Sequence, residues 1–229
     1  MVERIRAKAA ADFPKLAADP HFDRTLAAVA ATDRAAFVPA AERAGAYGDT
    51  PLPIGHGQTI SDAFIVSVMT AAAKVEPGAA VLEIGTGSGY QAAILARLGA
   101  RVHSVEIVAP LARSAARRLR HFGYRSVAVR AGDGFLGWPA FAPYDAIIVT
   151  AGAAEVPAPL LAQLRPGGTL VMPIGAQWAL EQLLVVRKGM DGKLSRCTMG
   201  AALFVPLTGR GGRPDHPSGL YDRSMTECY

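Results

Sequence analysis

Only two cysteines occur among the 229 residues, Cys197 and Cys228. Two cannot build a disulfide framework, and no CxxC pair exists for zinc or redox work, so the sequence points to a reducing, cytoplasmic address. No apolar run approaches the roughly 18 to 20 residues of a membrane span. Glu3, Arg4, Arg6, Lys8 and Asp12 interrupt the alanines of the first residues, which excludes a signal-peptide apolar stretch there. No cluster of metal-ligating residues is apparent, so no metal site is expected. What is present is apolar: 51% hydrophobic against 19% charged residues, enough for one sizeable core and too little charge for disorder. The net charge of +5, from 24 basic and 19 acidic residues, is compatible with nucleic-acid binding without requiring it.

The chain reads as one α/β domain in three zones: a helical region with a loop over 1–77, a sheet core over 78–207, and a tail over 208–229. The first zone is alanine-rich, with Phe22, Leu26, Val29 and Ala30 at helix spacing. Tyr47 to Ser61 reads as a long Gly- and Pro-rich loop, a kind of segment that is usually functional or disordered. A helix is expected from Asp62 to Lys74. Beyond Gly78, strands Ala80–Ile84, Arg101–Val105, Val127–Arg130, Asp145–Val149 and Thr169–Pro173 alternate with helices Tyr90–Leu98, Pro110–Phe122 and Pro157–Leu164. That alternation implies βαβ units and a mainly parallel sheet covered on both faces. Gln182–Arg187 and Cys197–Val205 flank a turn, Lys188 to Lys193, and suggest an antiparallel pair closing one edge. The tail from Thr208 reads as loosely ordered.

The sharpest local signal is Val81-Leu82-Glu83-Ile84-Gly85-Thr86-Gly87-Ser88-Gly89-Tyr90. A strand runs into alternating glycines and a helix starts at once. Glycine there permits the tight turn and close backbone approach to a ligand, and the helix start offers free N–H groups. About twenty residues on, Glu106 ends the next strand, where a carboxylate can accept both ribose hydroxyls. The spacing is GxGxG rather than the dinucleotide GxGxxG. Glu83, two residues before the first glycine, would be unwelcome beside a pyrophosphate but suits a cationic amino-acid moiety. Asp133, in Gly132-Asp133-Gly134, can accept from an adenine amino group. Three carboxylates at successive strand ends favour S-adenosylmethionine, which carries a sulfonium and an ammonium. Taken alone, the glycine run could be only a tight βα turn.

These residues also carry a family resemblance. Pro51-Leu52-Pro53-Ile54-Gly55, Gln58-Thr59-Ile60-Ser61 and VLEIGTGSGYQAA are similar to the protein-L-isoaspartate O-methyltransferase family. GDGFLGW (132–138), APYDAIIVTAGA (142–153), QLRPGGTLVMPIG (163–175) and FVPLTG (204–209) extend the similarity from about Phe22 to Gly209. One departure is that the family's TIS-x-P pattern lacks its proline here, Ser61 being followed by Asp62-Ala63-Phe64. The resemblance implies a Rossmann-like class I methyltransferase fold, S-adenosylmethionine as cofactor, and methylation of the α-carboxylate of L-isoaspartyl residues in damaged proteins or peptides, which starts repair through a succinimide. It places Ser61 nearest the transferred methyl and gives the substrate loop as Ile54, Gln58, Thr59 and Ile60. The cofactor set becomes Glu83, Gly85, Thr86, Gly87, Ser88, Gly89, Glu106, Asp133, Gly134 and Thr208.

Bland readings stand beside these. Ser61 also suits a helix N-cap. A carboxylate acceptor is already ionised at neutral pH and needs no base, so His56 reads as a loop or solvent contact. Asp49 reads as ordering the loop through neighbouring amides. Gln182 either helps cover the substrate or is a surface residue of an edge strand. Arg113, Arg117, Arg118 and Arg120 read as a solvated helix face. Phe135, Trp138 and Tyr144 read as core or pocket wall. The alternatives to isoaspartyl repair are a related enzyme acting on another peptide carboxylate, an RNA methyltransferase, and a cofactor-binding module without turnover. A monomer is the default, and no membrane partner is expected.

Overall fold

The computed structural model describes residues 1–175, 180–211 and 226–228. Three helices open the chain: α1 (Val2–Asp12), α2 (Pro14–Ala17) and α3 (Pro20–Ala30). Asp19 caps α3 by accepting from the His21 N–H at 2.9 Å, and Pro20 presets the first turn. Two short 3-10 turns then lead to a hairpin of β1 (Leu52–Gly55) and β2 (Gln58–Ile60). The segment read as a loop is therefore partly paired. His56 (φ 55°), flanked by Gly55 and Gly57 also at positive φ, turns the chain between the two strands. Strands this short give no alternating pattern to read.

Next comes α4 (Ala63–Ala72), whose cap is Asp62: its carboxylate accepts from the Ile65 N–H at 3.0 Å. Asp62, just before the place of the missing proline, thus starts the helix by capping, and the capping reading of Ser61 is corrected, because Ser61 stands one residue before the cap.

The main sheet is built from β3 (Ala80–Ile84), β4 (Arg101–Glu106), β5 (Val127–Ala131), β6 (Tyr144–Val149), β7 (Leu164–Ile174), β8 (Glu181–Lys188) and β9 (Leu194–Ala202). Its order is β5-β4-β3-β6-β7-β8-β9. The pairs from β5 to β7 are parallel and the last two antiparallel. Helices α5 (Tyr90–Arg97), α6 (Ala109–His121) and α7 (Ala158–Gln163) connect the parallel strands. Because side chains alternate along a strand, each strand feeds two cores. Val81, Val102, Ala146 and Ile148 pack with α3, α4 and α5, while Leu82, Ile84, Val105 and Ile147 pack with Leu160 of α7. Strand order reverses beside β3, the position where open α/β sheets bind ligands beyond their carboxyl ends.

Two further expectations need correction. Gln182 belongs to β8, which is paired on both sides, so the edge is β9. Cys197 of β9 is disulfide-bonded to Cys228, with Cα atoms 5.1 Å apart. Most of the tail read as loosely ordered lies outside the described residues. Gly209–Gly211 form a 3-10 turn, and Glu227 pairs with Thr198.

Candidate active site

The glycine turn leaves β3 at Ile84. Gly85, Gly87 and Gly89 all have positive φ. The Thr150 hydroxyl at the end of β6 donates to the Gly85 carbonyl (2.8 Å) and the Ile84 carbonyl (3.1 Å), tying the turn to the neighbouring strand. On the far side, Arg118 Nη1 donates to the Ser88 carbonyl at 2.8 Å. Arg118 is therefore half-buried support for the turn, in contrast to its exposed neighbours Arg117 and Arg120.

Glu106, at the end of β4, is buried. Its Oε2 accepts from the Gly87 N–H (2.8 Å) and its Oε1 from the Val108 N–H (2.9 Å). Each oxygen keeps a further lone pair. Around it runs a cleft walled by Gln58, Thr59, Ile84, Gly85, Gly87, Val105, Ile107, Gly134, Thr150, Ala151 and Val205–Thr208. Apolar walls, glycine backbone and one carboxylate suit an adenosine moiety. The cleft is narrow, about 60 Å³, so its walls must draw apart to admit one. A second narrow cavity lies over the turn and includes Ile60, Ser61, Thr86, Ser88, Tyr90 and Gln91. Ile54 reaches the turn from the hairpin: a Cβ at Gly87 would lie 3.2 Å from its Cδ1.

The other two carboxylates differ from Glu106. Glu83 is fully buried; Ser104 Oγ donates to its Oε2, and Oε1 has no partner. Burial, with nearby Glu106 adding to it, pushes its carboxyl up to about 8 against the Ser104 hydrogen bond. Burial thus favours the neutral form of Glu83 more than in an ordinary carboxylate, and its side chain lines neither cleft. Thr86, whose hydroxyl meets Ser104 Oγ, continues this internal network. Asp133 accepts from the Phe135 N–H (3.0 Å) and, through its other oxygen, from the Arg210 N–H (2.8 Å). It holds the chain just past Thr208 against β5, and its neighbour Gly134 lines the cleft.

A much larger cavity, about 580 Å³, opens beside these clefts. Its walls include Thr59, Ser61, Phe64, Ile65, Thr150 and the β9 backbone from Thr198 onward. Thr59 and Thr150 line all three spaces, and Ser61 lines the large one and the cavity over the turn. A ligand at the glycine turn and a ligand in the large cavity would meet there. Thr150 carried no mark of its own in the sequence, since a threonine at a strand end is common.

The remaining residues are peripheral. His56 is exposed at the hairpin turn. Asp49 pairs with Arg4 of α1 at 3.1 Å rather than with loop amides. Gln182 lines none of these spaces. Trp138 and Tyr144 pack against His103 with Phe141, away from the cleft. Among the described residues no His, Cys, Asp and Glu are grouped to hold a metal ion, and no helix is long and apolar enough to cross a membrane.

Comparison with known proteins agrees with this geometry. Residues 18–212 match the family model described as protein-L-isoaspartate(D-aspartate) O-methyltransferase. A Cupriavidus necator protein named protein-L-isoaspartate O-methyltransferase 1 is 49% identical over 209 residues, covering 91% of this chain and 80% of that one. A Gloeobacter violaceus protein named protein-L-isoaspartate O-methyltransferase is 52% identical over 183 residues, covering 80% and 89%. Among solved structures, one titled protein-L-isoaspartate O-methyltransferase superposes with a TM-score of 0.79 at 28% identity, covering 93% of this chain and 67% of that one. A Plasmodium falciparum chain solved with S-adenosyl-L-homocysteine shares the fold, with a TM-score of 0.72 at 21% identity and coverage of 90% and 97%. On the extent of these matches, the chain belongs to the protein-L-isoaspartate O-methyltransferase family.

Proposed function

We propose that the protein transfers a methyl group from S-adenosylmethionine to the α-carboxylate of L-isoaspartyl residues in proteins or peptides. The observation that carries this reading, beside family membership, is that Thr59 and Thr150 line the cofactor cleft, the cavity over the turn and the acceptor cavity, with Ser61 shared by the last two. When bound, the cofactor supplies an electrophilic methyl on a sulfonium. One bond forms, carboxylate oxygen to carbon, and one breaks, carbon to sulfur. The products are a methyl ester and S-adenosylhomocysteine, and no proton moves. This accounts for a site without a strong general base: an isoaspartyl carboxylate of ordinary pKa is already the nucleophile at neutral pH.

The protein's work is then positioning and exclusion of water. Glu106 receives the ribose hydroxyls with its free lone pairs, and Gly85 to Gly89 give the close backbone approach. Thr208 and Gly134 close the cleft. Ser61 donates a hydrogen bond to the incoming carboxylate, while Thr59 and Ile60 hold the β2 backbone against the peptide. The following amide nitrogen then attacks the ester carbonyl and expels methanol, the amide proton leaving with the methoxide, and water opens the resulting succinimide partly to aspartate.

Labelled S-adenosylmethionine offered with matched isoaspartyl and aspartyl peptides, and separately with RNA, tests the reading. Base-labile label on the isoaspartyl peptide alone supports it. Label on another carboxylate, alkali-stable label on RNA, or binding without transfer overturns it. We further read the protein as a cytoplasmic monomer. A disulfide between Cys197 and Cys228 persists where the surroundings are oxidising. Cytoplasmic residence therefore requires both thiols to alkylate in protein taken directly from cells, and size-exclusion chromatography with light scattering decides the oligomeric state.

A further inference from the structure

The family match ends at residue 212, yet the acceptor cavity has walls from outside it at both ends of the chain. Lys8, Asp12 and Phe13 come from α1 and the residue after it, and Glu227 comes from the far C-terminus. Glu227 is held there by three links. The Thr198 N–H donates to the Thr226 carbonyl at 3.2 Å, the Cys228 N–H donates to the Thr198 carbonyl at 3.0 Å, and Cys228 is bonded to Cys197. A short piece of the C-terminus is thus paired with the edge strand β9 beside the cavity. The Glu227 side chain is exposed and has no hydrogen-bond or ion-pair partner among the described residues.

The other charged residues on the cavity are Lys8, Asp12 and Asp62. Lys8 Nζ sits 4.2 Å over the Phe64 ring, and Asp62 is occupied in capping α4. Asp12 is exposed and, like Glu227, has no partner among the described residues. The wall supplied by the chain ends therefore sets Lys8 against Asp12 and Glu227 and is net negative.

We propose that wherever the Cys197–Cys228 bond is formed, Glu227 is a specificity-determining residue that favours acceptor peptides with a lysine or arginine beside the isoaspartyl residue over those with an acidic neighbour, and that under reducing conditions, with both thiols free, the preference is lost. This rests on the isoaspartyl reading of the acceptor cavity. A cationic neighbour gains an exposed ion pair, while an acidic one meets like charge on the wall. The disulfide matters because an untethered terminal segment would lose the position of its charge.

The test measures kcat/KM for three isoaspartyl peptides that differ only in the neighbouring residue, Lys, Ala or Glu. The oxidised wild-type protein should prefer Lys over Glu by about fivefold, with the difference in KM and with loss of the preference at high salt. Glu227→Lys should reverse the order. Cys228→Ser should bring the ratio close to one. A dithiol, which delivers two electrons and two protons to give two free thiols, should do the same to the wild type and leave the Cys228→Ser ratio unmoved. An unchanged ratio in Glu227→Lys overturns this proposal while leaving the enzyme reading intact. Absence of transfer to all three peptides by the wild type overturns both.

Discussion

The Thr150 hydroxyl occupies the space that a side chain at Gly85 would need: a Cβ built there lies 2.3 Å from Thr150 Oγ1. The same hydroxyl ties the glycine turn to the end of β6, so one contact sets both the turn and the floor of the site. Gly85→Ala must push Thr150 away and also adopt a φ of +93°. Strain and overpacking together should cost about 3 kcal/mol. A denaturant titration should show the loss, and calorimetry should show weakened S-adenosylhomocysteine binding. An unaltered midpoint would mean that the turn relaxes freely.

Ser61 lines the acceptor cavity and the cavity over the turn but does not cap α4. Ser61→Ala should therefore leave the melting temperature close to that of the wild type and lower single-turnover methyl transfer by about tenfold or more, the worth of a hydrogen bond to a charged group. A large fall in stability with normal transfer would show a structural role instead.

Glu106 accepts two backbone N–H bonds while facing the cleft. In Glu106→Gln one of those donors meets an amide NH₂ rather than an oxygen, so the turn loosens as the ribose acceptor weakens. S-adenosylhomocysteine affinity should fall by about tenfold or more by calorimetry. Unchanged affinity would remove Glu106 from the cofactor site.

Glu83 should make stability depend on pH in an unusual direction for a carboxylate. Its folded value, about 8, lies above the ordinary 4.5, so the folded state holds a proton that the unfolded state has released between those values. Its contribution is full below about 4.5 and is lost as pH rises through about 8. Glu83→Gln keeps a neutral side chain and should remove that slope. Chemical denaturation of both proteins from pH 5 to 9 should therefore show the variant gaining on the wild type as pH rises. Parallel curves would mean that Glu83 is ionised in the folded protein.

Much of the frame was legible because its signals are local. Short apolar runs alternating with helical segments marked β3 to β7. Pro110 inside the start of α6 and Gly123 (φ +80°) beyond its end bounded that helix, and the glycine run declared a turn that only glycine tolerates. The β1–β2 hairpin escaped because its strands are too short for periodicity, with Pro53 inside the first and only His56 and Gly57 between them. Arg118 escaped because a helical wheel does not tell which arginine meets the Ser88 carbonyl, thirty residues away in the chain.

By itself the sequence determined the class of fold, the place of the cofactor turn and the identity of Glu106 as a strand-end carboxylate, since each follows from neighbours along the chain. Tertiary structure alone decided the burial of Glu83, and with it the upward push on its carboxyl, because distant strands exclude water from it. It also decided that Thr59, Thr150 and Ser61 share one junction, and that Cys197 meets Cys228. Those relations bring Thr150 to the cavities lined by Thr59 and Ser61, and Cys197 to Cys228, across long stretches of chain, and only the packed sheet does so.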